Sequence, residues 1–256
     1  MEKEICWNIT ARCNQNCKYC HRFLNIKDLS YEQNLSILNN LDDSGVNSIT
    51  WTGGEALLLD GIDELLKCSY EKDIKNKIIT NGKLLTKERI DKIYKCLDSI
   101  TLSIDSVDDD INYSLGRGKN HFQEIKDILD YIKLKNYDIK IRINSVVCKN
   151  NLGKFNELIT FLNEYNIHSW RIFKFMPLRE TAIKNKESFS ISMKEYSDVV
   201  KSIKEKSNIE NIDTRIEEDM EKKYVLILAN GDIVITDNGT DKKVGNALED
   251  SLKTFV

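Results

Sequence analysis

Proline occurs once in 256 residues, at Pro177, and no linker or low-complexity stretch interrupts the chain. One large domain with its own core is therefore expected, rather than two tethered ones. Long apolar runs are missing too, with nothing approaching the roughly 18 residues of a transmembrane helix. Neither sign of charge dominates, and a net charge of −3 gives no general pull toward nucleic acid polymers or anionic membranes. Histidine is limited to His21, His121 and His168, none in a triad context. Gly-x-Ser-x-Gly and P-loop motifs are also absent, which leaves acyl transfer and phosphotransfer with little support. No cysteine follows Cys148, so a second, C-terminal cluster with cysteine ligands is excluded. Met1-Glu2-Lys3-Glu4 leads at once into a strand-like run and leaves no room for a signal peptide. The seven cysteines are an odd number, and no disulfide framework is expected in a reduced, cytoplasmic protein.

What is present alternates between strand-like and helix-like patterning. Strands are expected over 5–10, 47–52, 77–80, 99–104, 139–147 and 170–175, with helices over 31–41, 60–69, 87–97, 122–134 and 152–165 between and after them. Repeated βα units imply a parallel sheet with helices outside, and right-handed crossovers curl it into a partial or full barrel. Such a barrel carries its chemistry at the C-terminal strand ends. Beyond Pro177, which ends the sixth strand, 182–189 reads as loop and 192–206 as helix. The runs 224–229 and 232–236 flank Asn230-Gly231, a type I′ hairpin signal. The expected fold is thus α/β: a partial parallel (β/α)6 barrel over 1–180, with a helix and β-hairpin appendage over 181–256 packed on the same domain.

The most informative residues are Cys13, Cys17 and Cys20, spaced Cys-x3-Cys-x2-Cys directly after the first strand. Three thiolates on one short loop can hold three irons of a 4Fe–4S cube and leave the fourth iron open for chemistry. Zinc is the alternative. It normally takes a fourth Cys or His at a second knuckle, none follows at the usual spacing, and His21 is awkwardly placed beside Cys20. Cys6, Cys68, Cys96 and Cys148 are scattered singly among apolar neighbours and read as small buried hydrophobes.

Together these motifs resemble the radical S-adenosylmethionine superfamily. Thr52-Gly53-Gly54-Glu55, at the end of the second strand, resembles its Gly-Gly-Glu element, and Tyr19 matches the aromatic residue commonly found before the third cysteine. The resemblance implies a 4Fe–4S cluster on Cys13, Cys17 and Cys20, S-adenosylmethionine on the open iron, and an external electron donor such as flavodoxin or ferredoxin. It implies that Glu55 accepts hydrogen bonds from the methionyl ammonium. Asn81, Ser103, Asp105 and Asn144 lie at further strand ends, where family members place cofactor contacts; each also reads as a cap or turn residue.

Within that superfamily the chain is most similar to viperin-like nucleotide dehydratases. The carriers are Leu115-Gly116-Arg117-Gly118-Lys119-Asn120-His121, Ile143-Asn144-Ser145-Val146, Trp170-Arg171-Ile172-Phe173-Lys174, Phe189-Ser190-Ile191 with Tyr196, and Tyr224-Val225-Leu226-Ile227-Leu228. The resemblance implies conversion of a nucleoside triphosphate to its 3′-deoxy-3′,4′-didehydro form, with antiviral consequence. Arg117, Lys119, Arg142, Arg171, Lys174 and Arg179 are then candidate triphosphate contacts, Arg117 alternatively holding the cofactor carboxylate. Tyr224 is a candidate hydrogen or proton donor, or else a buried strand tyrosine. The chain departs from the family at Ser48-Ile49-Thr50-Trp51-Thr52, where a Lys-x-Asn-x-Ser pattern is usual, and at Ala56, where proline is usual. It also ends soon after Gly245-Asn246, without the tail that would close over a nucleotide. Trp51 points either into the barrel mouth or into the core. A radical enzyme acting on a peptide or other small metabolite, and an iron–sulfur sensor using the cofactor only as ligand, are the competing functions.

Overall fold

The computed structural model describes residues 2–220, 225–237 and 240–255. Strands β1 (Glu4–Thr10), β2 (Ser48–Gly53), β3 (Lys75–Thr80), β4 (Ser99–Ser103), β5 (Lys140–Val147) and β6 (Ile167–Lys174) pair in chain order, all parallel. Helices α1 (Tyr31–Asp43), α2 (Ile62–Glu71), α3 (Lys87–Ile93), α4 (Asp109–Ser114), α5 (His121–Lys135) and α6 (Phe155–Leu162) fill the crossovers. Their starts follow local chemistry: Ser30 closes a capping box with Gln33 ahead of α1, and Thr86 caps α3 through the Arg89 N–H.

Beyond β6 the chain does more than the pattern suggests. The stretch expected as loop forms α7 (Arg179–Lys184) and α8 (Lys186–Phe189), too short for periodicity to reveal. Ala182 and Phe189 turn inward from them to a small core around Tyr19. Helix α9 (Met193–Lys206) begins in a second capping box, Ser192 with Glu195. Strand β7 (Ile212–Arg215), mostly polar and four residues long, joins β6 in parallel. Strands β8 (Leu226–Ile227), β9 (Asp232–Asp237) and β10 (Thr240–Asn246) extend the other edge, β8 lying parallel to β1. The turn before β9 is not type I′. Gly231 alone has positive φ and donates to the Leu228 carbonyl, while the Leu228 N–H bonds Asp232 O. That is a three-residue loop with glycine at the left-handed position. The sheet order is β10-β9-β8-β1-β2-β3-β4-β5-β6-β7, so its ends do not meet and the barrel stays open.

Strand parity explains why the barrel is hollow. Ile5, Trp7 and Ile9 of β1, and Ile141, Ile143, Ser145 and Val147 of β5, are buried on the helix side. The alternate positions (Glu4 and Asn8; Arg142 and Asn144) are polar and only partly covered, and Cys6 among them is half-buried, not the buried hydrophobe expected. Parallel strands normally carry apolar side chains on both faces, and an inner face lined by charge leaves a solvated space instead of a packed core. Trp51 has outward parity. It stacks on Trp7 with centroids 5.2 Å apart and donates from Nε1 to Asn76 Oδ1 at 2.7 Å, so it belongs to the core.

Candidate active site

The cysteine loop leaves the top of β1 and is fastened at its base. Asp28 accepts from Thr10 Oγ1 at 2.6 Å, from the Ala11 N–H at 2.9 Å and from Arg12 Nε at 2.8 Å. Burial pushes the Asp28 carboxyl up, but these donors outweigh it and hold the group below its ordinary range. On one side the loop lies against the Gly-Gly-Glu element: Gly54 N–H donates to Thr10 O and Glu55 N–H to Arg12 O. A Cβ on Gly54 would sit 2.0 Å from the Arg12 carbonyl oxygen. On the other side Asn16 N–H donates to Gly116 O and Lys18 N–H to Leu115 O, and a Cβ on Gly116 would meet Asn16 O at 2.1 Å. The loop is thus gripped backbone to backbone from two directions, which only glycine allows.

Behind the loop lies a buried polar network. Arg117 Nε donates to Asp105 Oδ2 at 2.6 Å and its terminal nitrogen to Gln15 Oε1 at 3.3 Å, with its guanidinium 5.7 Å from the Tyr19 ring. Tyr19 donates its hydroxyl to the same Asp105 oxygen, and the Val146 N–H donates to the other at 2.8 Å. His121 donates from Nε2 to Ser103 O and accepts from the Gln15 amide at Nδ1. Burial, aided by Arg117, pushes His121 down to about 3, so it is neutral at physiological pH. The network thus ties the cysteine loop (Gln15, Tyr19) to the end of β4 (Ser103, Asp105), to β5 (Val146) and to the α4–α5 connection and the start of α5 (Arg117, His121).

Glu55 is buried beside this network. Its Oε1 accepts from Thr80 Oγ1 at 2.7 Å and from the Leu57 N–H, and its Oε2 accepts from the Asn81 N–H at 2.7 Å. Burial raises the carboxyl, opposed by the Asn81 and Thr80 donors. A carboxylate offers about four lone-pair sites, so these three bonds leave it room for one further donor. The Asn81 side chain reaches Asn14 Oδ1 at 2.7 Å and lies 3.9 Å from the Cys13 sulfur. Ser103 and Asn144 are register partners across β4 and β5, and Thr52 pairs with Asn8.

The donor set fits an iron–sulfur cube. The three thiols are free, and the N–H groups of Gln15 and Arg22 point at the Cys13 and Cys20 sulfurs, each at 3.4 Å. Burial pushes all three thiols up, so each bare cysteine keeps its proton until a metal displaces it. Among the described residues no three Cys, His, Asp or Glu side chains gather around a single point. A cube takes each thiol on a different iron and needs no such point.

Inside the barrel lies a cavity of ≈ 920 Å³, within the range of small-molecule sites. The structure brings Arg142, Asn144 and Arg171 together on its wall, with Arg215 and Asp213 of β7. Arg171 Nε bonds Asp213 Oδ2 at 2.7 Å, and Arg215 shares the same carboxylate. Arg142 Nε is buried without a hydrogen-bond partner among the described residues. The opposite wall carries Glu4, which accepts from Thr50 Oγ1 at 2.6 Å and pairs with Lys77 at 2.9 Å. The remaining expected contacts lie off this wall. Lys119 is exposed, its ammonium 5.7 Å from the Tyr113 ring, and Lys174 is half-buried. Arg179 forms a two-pronged pair with Asp241, both bonds 2.8 Å. Tyr224 lies outside the described residues. The sequence reading missed Asp28, Gln15, Gly116 as a spacer, and Arg215. Only Gly116 carried a signal, standing in a fragment already matched by order.

Residues 7–162 match the profile of the Radical SAM superfamily. The S-adenosylmethionine-dependent nucleotide dehydratase of Flammeovirga pacifica is 31% identical over 238 residues, covering 89% of this chain and 80% of that one. A like-named enzyme of Selenomonas ruminantium is 26% identical, with 99% and 93% covered. Among solved structures, Streptococcus suis SuiB bound to S-adenosylmethionine superposes with a TM-score of 0.73 at 22% identity. That match takes in 99% of this chain but spans only 65% of SuiB. Among the described residues no helix is long and apolar enough to cross a membrane. With the cysteine loop, the Gly-Gly-Glu clamp and the open parallel barrel in place, the chain belongs to the radical SAM superfamily and is an enzyme that uses a 4Fe–4S cluster and S-adenosylmethionine.

Proposed function

We propose that this enzyme removes water from a nucleoside triphosphate to give the 3′-deoxy-3′,4′-didehydro nucleotide. The observation that carries the reading is the arginine wall of the cavity, where Arg142 Nε is buried and has no hydrogen-bond partner among the described residues, beside the Asp213-bridged pair of Arg171 and Arg215. A buried, unsatisfied guanidinium nitrogen is costly without an anionic ligand, and arginine suits phosphate. The names of the F. pacifica and S. ruminantium relatives point the same way.

When bound, the cluster and S-adenosylmethionine supply hydrogen-atom abstraction from an unactivated carbon. The chain's own groups bind and orient. Glu55 takes the cofactor ammonium at its remaining acceptor site, with Thr52, Gly53, Gly54, Asn81, Ser103 and Asn144 around the cofactor at the strand ends. Asp105, Tyr19 and Arg117 stay with the loop and the cofactor, since Asp105 and Gln15 fix Arg117 away from the cavity wall. Arg142, Arg171 and Arg215 hold the phosphates. Lys119, Lys174 and Arg179 are left out of the substrate set.

The test is an anaerobic assay of reconstituted enzyme with reductant, S-adenosylmethionine and each nucleoside triphosphate, followed by mass spectrometry. One nucleotide is expected to stimulate 5′-deoxyadenosine formation and to yield a product lighter by one water. Cofactor cleavage indifferent to every nucleotide would move the substrate to a peptide or another small metabolite. Arg142→Met is expected to raise KM about 10- to 100-fold, the worth of one charged hydrogen bond, with the cluster spectrum unchanged. Glu55→Gln is expected to weaken S-adenosylmethionine binding by roughly tenfold or more at full iron content; unchanged affinity would remove that role.

A further inference from the structure

The limb of chain that follows the third cysteine is held by a residue on the far side of the barrel mouth. Arg179, at the start of α7, donates from one terminal nitrogen to the His21 carbonyl at 3.0 Å and stacks 4.1 Å from the Phe23 ring. Its Nε and other terminal nitrogen grip the two Asp241 oxygens at 2.8 Å each. Asp241 lies on β10 and is itself steadied by Thr236 Oγ1 of β9 at 2.8 Å. One planar guanidinium therefore joins the outer hairpin to the residue after Cys20, a geometry that lysine cannot reproduce. Arg179 also has φ +60, unusual for a residue with a side chain, so the fold holds it in a disfavoured backbone state. Just past the limb, the turn between β8 and β9 adds a second tie, where the Leu29 N–H bonds Ala229 O. His21 completes the arrangement by donating from Nε2 to Met176 O, three residues before Arg179.

We infer that the Arg179–Asp241 pair is a latch by which the C-terminal hairpin fixes the limb from Cys20 to Asp28, making Arg179 a positioning residue for retention of the cluster. Cys13 and Cys17 lie in the part of the loop gripped by Gly54 and Gly116, but Cys20 lies beyond both clamps. Lys18 and Tyr19 anchor the chain ahead of it, and the limb behind it supplies the other half of its hold. The latch acts on the cluster's third ligand without touching the cluster or the substrate, so it holds whichever substrate the cavity takes.

The test compares Arg179→Lys, Asp241→Asn and the exchanged pair Arg179→Asp with Asp241→Arg, all in the reconstituted full chain. Asp tolerates left-handed backbone, so the exchange is compatible with position 179. The readouts are the rate at which an iron chelator bleaches the cluster without oxygen, and the electron paramagnetic resonance signal of the reduced cluster. Tyr196→Phe, which loses a hydrogen bond to Ile172 O on another face, serves as a control for general destabilisation. Each single variant is expected to lose iron roughly tenfold faster, as outer partners of metal ligands do, with an altered resonance signal. The exchanged pair restores the ion pair but not the donor to the His21 carbonyl, since a carboxylate only accepts, and is expected to recover part of the loss. Single variants that bleach at the parent rate would overturn the latch. So would bleaching that matches Tyr196→Phe at equal stability, or an exchanged pair no slower than the singles.

Discussion

A single methyl group added at Gly54 or Gly116 is expected to abolish assembly of the cluster. At Gly54 the new Cβ would stand 2.0 Å from the Arg12 oxygen and 2.6 Å from its carbonyl carbon. At Gly116 it would stand 2.1 Å from Asn16 O and 3.0 Å from the Cys17 Cα. The atoms met are backbone, so no rotamer change relieves either clash. The end of β2, or the α4–α5 connection, must separate from the loop, breaking backbone bonds worth about 0.5–1.5 kcal/mol each. Gly116 also has φ +93, a conformation that adds further strain for any other residue. The check is iron and sulfide content after anaerobic reconstitution. Gly153→Ala is the matched control, since nothing lies within 4 Å of its Cβ position, and it should fill normally. Gly116→Ala with parent iron content would show that the loop is not clamped there.

The second large effect belongs to Asp105. Asp105→Ala is expected to lower the unfolding free energy by about 3–5 kcal/mol, because it strands a buried cation. The side chains of Arg117 and Asp105 are 6% and 0% exposed, and removing the carboxylate also orphans the Tyr19 hydroxyl and the Val146 N–H. Against a total stability of about 5–15 kcal/mol that is a large fraction. Urea unfolding of the apo chain measures it. Adding Arg117→Met should recover part of the loss, since replacing a whole buried pair by apolar side chains costs less than breaking it. A double variant as unstable as Asp105→Ala alone would show that the stranded charge is not the source.

Much of this architecture can be read from local pattern. Trp7 and Ile9 alternating with Cys6 and Asn8 announce a strand with two unlike faces, and the thiol spacing announces the cluster. What escapes local reading is whatever depends on two distant backbones meeting. Asp28 looks like an ordinary loop carboxylate until Thr10 and Ala11 are folded against it. Gly116 looks like a turn glycine until Asn16 arrives. Charge partners are equally silent. Arg171 and Arg179 are alike as letters, yet one lines the cavity beside Asp213 while the other is taken by Asp241. Strand β7 escapes because Ile212–Arg215 has a single apolar residue, its pairing being set by the edge of β6.

The position of β8 bears on how the chain is made. Strand β1 carries the cysteine loop, yet one of its two neighbours begins at Leu226, more than 200 residues downstream. During synthesis β1 therefore keeps that edge open until the segment around Leu226 has left the ribosome. Contacts of such long sequence separation form late and slowly. Strand β1, and with it the base of the cysteine loop, therefore lies beside an unpaired edge until β8 docks.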